Sequence, residues 1–93
     1  MFAQSSGLPA ELKAALRELR RVRAQRPERA SDPLGFANWR EDIAGVLETL
    51  SRLLLFEEDR TKAVGEAAQA REEAARIRAE VRREADKGSG GGL

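Results

Sequence analysis

The stretch Trp39–Phe56, WREDIAGVLETLSRLLLF, carries the strongest pattern in the chain. Together with Phe36, the residues Trp39, Ile43, Val46, Leu47, Leu50, Leu53 and Leu54 fall within about 120° of helix surface at ~100° per residue. That period predicts an amphipathic helix over about 36–56. Two starts compete for it. Asp32 can cap a helix with Pro33 at its first position. Alternatively Asn38 caps it, with Glu41 completing a capping-box-like pair. The second pattern favours a short turn at 33–37 and a main helix from about Trp39. Leu55 and Phe56 lie off the stripe, which marks them for a core or dimer contact outside the helix's own hairpin.

Upstream, a matching stripe runs through Leu8, Leu12, Ala15, Leu16, Leu19 and Val22, again within about 120°. It predicts a helix over about 8–26, with Pro9 tolerated in its first turn and Pro27 stopping it. Residues 27–35, with two Pro and one Gly, read as a loop. Two helices of similar length, each with a full apolar stripe, predict an antiparallel hairpin. Residues 1–7 read as a flexible arm.

Downstream the rhythm changes. Ala63, Ala67, Ala70, Ala74, Ile77 and Val81 are spaced 4, 3, 4, 3 and 4 apart, a heptad pattern with Phe56 one heptad before it. No Pro interrupts residues 57–87, and Ala, Glu, Arg and Gln dominate. The 36–56 helix either continues into 60–87 or bends near 56–62 so that a third helix folds back; continuity is the favoured expectation. On one continuous helix the Ala seam sits about 180° from the Leu stripe, facing a different partner. Residues 88–93, GSGGGL, read as a flexible tail, leaving 8–87 as one helical domain.

The run AQAREEAARIRAEVRREA (68–85) resembles the stalk helices of rotary ATP synthases and other Ala/Glu/Arg coiled coils. That likeness implies helix and no particular activity. In size the chain is similar to the helical hairpins of WXG-type proteins, but it departs from their Trp-x-Gly turn, since Arg40 and Glu41 follow Trp39.

Composition narrows the function classes. The 93 residues include no Cys, no His and no Tyr. Thiolate or imidazole metal sites, a Cys nucleophile, a Ser-His-Asp triad and a histidine base are therefore excluded. Consecutive helical residues point ~100° apart, so Glu57, Glu58 and Asp59 do not converge on one hard cation. No stretch approaches the ~20 apolar residues of a membrane span, and the start lacks a secretory pattern. The expectation is a cytoplasmic protein with no catalytic, cofactor-binding or metal-binding residues.

Of the hydrophobic residues 16 are Ala, and beyond Phe56 the only larger ones are Val64, Ile77, Val81 and Leu93. Small chains bury only ~60% of their unfolded surface. The last third thus promises little core of its own, which predicts self-association. The expected product is an all-α antiparallel helical hairpin with a long Ala-rich C-terminal helix, assembled as a dimeric helical bundle or coiled coil. Its core and dimer-interface residues are Leu12, Leu16, Leu19, Trp39, Ile43, Leu47, Leu50, Leu54 and Phe56. The expected role is a non-enzymatic interaction module, an adaptor, assembly factor or small regulator. Its partners are a second copy and an unidentified protein. Charge supplies the alternative: residues 1–40 carry a net +4 and residues 41–93 a net −3. The basic face Lys13, Arg17, Arg20 and Arg21 is the candidate contact for a nucleic acid or nucleotide.

Overall fold

The computed structural model describes residues 8–91, with side chains through Lys87. Three helices follow one another: α1 (Ala10–Arg23), α2 (Pro33–Leu53) and α3 (Glu57–Gly91). The described residues contain no strand. The expected arm, 1–7, and the last two tail residues lie outside the described residues. Residues 88–91, expected to be a loose tail, continue the α3 backbone. Extending an existing helix adds one hydrogen bond per residue fixed, and no Pro stops it here.

α1 is shorter than the expected 8–26 and ends just after Val22, the last apolar residue of its stripe. Pro9 stands at its N-cap, and after Arg23 the chain turns, with the Ala24 N–H donating to the Arg20 carbonyl and the Gln25 N–H to that of Val22. The helix thus closes before Arg26, whose helical geometry Pro27 disfavours.

α2 starts at Pro33, not near Trp39. Asp32 is the cap, its carboxylate accepting from the Gly35 N–H at 3.0 Å, with Pro33 in the first turn. The expected Asn38–Glu41 box does not form. Both side chains are drawn to α3 instead: Asn38 Oδ1 accepts from Arg78, and Glu41 pairs with Arg71 and Arg78.

The continuous helix favoured by the sequence is replaced by a bend. Leu54 is extended (φ −72°, ψ 144°), and α3 begins three residues later and folds back along α2. The bend brings the Ala seam onto α2 rather than onto another molecule. Ala63, Ala67, Ala70, Ala74 and Ile77 are all buried. They meet a second row on α2, Ala37, Ala44 and Ser51, which recurs every seven residues and is also buried. Ala44 packs with Ala67 and Ala70, and Ala37 with Ala74 and Ile77, which sets an antiparallel pairing. Side chains this small allow close backbone approach, so the last third contributes core through contact rather than bulk.

α1 packs on the Leu face of α2. Leu12, Leu19, Val22, Ile43, Leu47 and Leu50 are buried there, with Leu16, Trp39, Val46, Leu53 and Leu54 partly buried around them. Trp39 Nε1 donates to the Val22 carbonyl at 2.6 Å, tying the end of α1 to the start of α2. α2 is therefore the middle helix, with one partner on each side. At 1.5 Å per residue α3 is about 52 Å long against about 32 Å for α2. The radius of gyration is 17.9 Å, where a compact chain of this length would show about 12 Å. This is an elongated bundle with much lateral surface.

Candidate functional site

Among the described residues the most exposed large apolar side chains lie at the α2–α3 bend. Leu55 is 69% exposed and Phe56 68%. The corner is not slack backbone. The Leu54 N–H donates to the Leu50 carbonyl at 3.1 Å, and Arg60 Nη1 donates to the carbonyls of Leu54 at 3.0 Å and Leu55 at 2.9 Å. One guanidinium thus satisfies two turn carbonyls that would otherwise seek water. It fixes the segment that displays Leu55 and Phe56.

Because α1 runs antiparallel to α2, its first turn lies at the same end. A groove of about 580 Å³ is lined by Glu11, Ala14, Ala15 and Glu18 of α1 and by Val46, Thr49, Arg52 and Leu53 of α2. Leu8, 42% exposed, precedes this groove. The end therefore gathers Leu8, Leu53, Leu54, Leu55 and Phe56. Of the expected interface residues, Leu12, Leu19, Ile43, Leu47 and Leu50 are inside the bundle, Leu16, Trp39 and Leu54 are half-buried, and Phe56 is in solvent.

The corner has an acidic edge. Glu57, Glu58 and Asp59 form the first turn of α3, where negative charge complements the helix dipole. All three are exposed and form no ion pair among the described residues.

The four residues of the expected basic face are divided. All are exposed, but Arg21 pairs bidentately with Glu18. That hydrogen bond holds the Glu18 carboxyl below its usual range and raises the Arg21 guanidinium further. Lys13, Arg17 and Arg20 have no carboxylate partner among the described residues.

Ion pairs line the α2–α3 seam. Arg71 bridges Glu41 and Glu48, each at 2.6 Å, and Arg78 reaches Glu41 at 3.0 Å. The Arg71 fork holds the Glu48 carboxyl below its usual range and is itself raised. On the other flank Glu73 takes Arg40 at 2.6 Å and Arg29 at 3.3 Å. These pairs flank the alanine seam, whose α2 side, Ala37, Ala44 and Ser51, sequence reasoning passed over. The seven-residue recurrence of Ala37, Ala44 and Ser51 was the signal for them.

Arginine also clusters on the two aromatics at the α1–α2 end. Phe36 and Trp39 have ring centroids 5.3 Å apart. Arg26 sits 5.4 Å from the Phe36 centroid and 5.8 Å from that of Trp39. Arg29 approaches Phe36 at 5.8 Å and Arg40 approaches Trp39 at 5.9 Å. These distances fit cation–π contacts. A hollow of about 280 Å³ beside them is lined by Arg23, Trp39, Arg40, Ile43, Leu47, Glu66 and Gln69.

Among the described residues no group of three acidic side chains is placed to hold a metal ion, and no helix is long and apolar enough to cross a membrane. No protein-family model, curated protein or solved structure matches the chain.

Proposed function

We propose that the chain is a non-enzymatic helical interaction module that self-associates and serves as an adaptor, assembly factor or small regulator. The observation that carries this reading is the pinned apolar corner. Two adjacent large apolar residues stand in solvent on backbone that Arg60 holds in place. Burying each such side chain is worth about 1.5–3 kcal/mol. A monomer forgoes that gain, and a contact recovers it.

The same end supports a second copy as the occupant. Its acidic edge is Glu57–Asp59, and its basic edge is Lys13 in the first turn of α1. A two-fold dimer meeting corner to corner sets each acidic edge against the other copy's basic edge, as a self-complementary contact requires. Such charges contribute mainly to orientation and specificity. The apolar residues supply the affinity.

Light scattering over a micromolar concentration series tests the reading. The 10.2 kDa chain is expected at twice that mass, with Phe56→Glu returning it to the monomer while the helical circular dichroism is kept. A folded wild-type monomer throughout the series refutes self-association. A dimer indifferent to Phe56→Glu relocates the contact.

A further inference from the structure

We infer that Arg17, Arg20, Arg23 and Arg26 form a binding track for the phosphodiester backbone of a single-stranded nucleic acid. This track is separate from the apolar corner and does not depend on self-association. In the sequence an arginine falls at every third position from Arg17 to Arg29. Three residues advance an α-helix by about 4.5 Å and turn it by about −60° relative to the starting face. Within α1 the row therefore does not stay on one side. It winds from Arg17 on the solvent face, through Arg20, to Arg23 at the hollow beside Trp39. Arg26, just past the helix, completes it over the Phe36 and Trp39 rings.

Three observations make this row a site rather than a solvated face. First, Arg17, Arg20, Arg23 and Arg26 are all exposed, and none has a carboxylate partner among the described residues. The fifth member, Arg29, is by contrast bound to Glu73. Second, the aromatic rings hold Arg26 in place without neutralising it. A guanidinium lying on a ring face keeps its edge of N–H donors and its full charge, which suits bidentate contact with phosphate oxygens. Third, the hollow next to Arg23 offers the Gln69 amide as a polar group beside the track, with Glu66 its one acidic lining residue. Arg21, expected in the basic face, is excluded because Glu18 occupies it.

The winding also selects the form of the ligand. A duplex is stiff over ~150 base pairs, and it meets a straight row better than one that curves around a helix. A flexible single strand follows the curve.

Chain neutralisation predicts the salt dependence. Four phosphate contacts give a log–log slope of about −2.8 for a single strand, so affinity falls about fifty-fold between 50 and 200 mM salt. The experiment is fluorescence anisotropy of a labelled oligothymidylate titrated with the full chain across that range. Arg20→Gln/Arg23→Gln removes two contacts from residues that hold no partner. It is expected to halve the slope, leaving a fall of about sevenfold. Lys62→Gln/Arg76→Gln, both exposed on α3 and without a carboxylate partner among the described residues, is expected to change neither affinity nor slope. Trp39, the only tryptophan, lies under Arg26, so its emission is expected to change along the same binding curve. Four results would overturn the assignment: no binding at low salt, equal loss from both double variants, tighter binding of duplex than of single strand, or a Trp39 signal that stays flat while anisotropy rises.

Discussion

At the start of α2 the Asp32 carboxylate accepts from the Gly35 N–H, and Gly35 has no side chain where that carboxylate sits. A Cβ on Gly35 would collide with the Asp32 carboxyl group. The two positions are therefore coupled. Asp32→Ala is expected to cost about 1 kcal/mol of stability through the lost cap. Gly35→Ala is expected to displace the same carboxylate, its lost cap offset by alanine's better helix propensity, and to become stabilising once Asp32 is already Ala. Chemical denaturation of the two single variants and the double variant measures this coupling, and strict additivity would contradict it. The cap was legible in the sequence as one of two competing starts. What hid it was Glu41, well spaced for a capping box but committed to Arg71 and Arg78. Local rules do not know about partners thirty residues away.

At the scale of elements, α1 and the Leu face of α2 were readable because large apolar side chains announce a stripe. The α2–α3 contact was half readable. The heptad of Ala63 to Val81 is visible as a rhythm, but its partner row on α2 consists of residues too small to register as core. The Leu stripe drew attention to one side of a helix that packs on two. The same logic that left the seam obscure makes it sensitive to bulk. Ala44 and Ala70 are fully buried in a contact between small side chains. Ala70→Leu is expected to destabilise the fold by about 1–3 kcal/mol, because extra methylenes force the helices apart. An exposed alanine on the same helix, Ala75, should accept Leu with little change. Thermal melts of the two variants separate an overpacked seam from a general dislike of leucine in α3. The bend itself was legible only as an alternative. Nothing local breaks the helix at Leu54, and what stabilises the fold-back is the burial that follows it together with the Arg60 contacts to the turn.

For the whole molecule, charge and shape govern behaviour together. The carboxyls of Glu18 and Glu48 are held below their usual range by arginine hydrogen bonds. A lowered carboxyl favours the folded state above the unfolded-state value, and that contribution fades as pH falls through the folded-state value. The chain has no His and no Cys to titrate near neutrality. The melting temperature is therefore expected to be level from neutral pH down to about pH 5, then to decline in acid. Removing the Arg71 contact with Arg71→Gln should lessen the part of that decline that belongs to Glu48. Both groups are on the surface, so the change is expected to be small and to shrink further in high salt. The elongated outline was not legible in the composition. An average 41% hydrophobic content describes a round domain as well as a narrow one, and only the two-sided packing of α2 distinguishes them.

The alanine seam has one further consequence. A seven-residue repeat matches itself when α3 slides by one heptad, but only along part of its length. Ala70 would take the place of Ala63, and Ala74 that of Ala67, at no cost in bulk. Ile77 and Val81 would then land where Ala70 and Ala74 now pack, and those two alanines are fully buried. The ion pairs share the period, since Arg71 and Arg78 are one heptad apart and so are Glu41 and Glu48, and they offer little resistance to such a slide. The branched residues thus act as the pin in an otherwise smooth ratchet. They keep the bend at Leu55 and Phe56 instead of letting it drift along the chain.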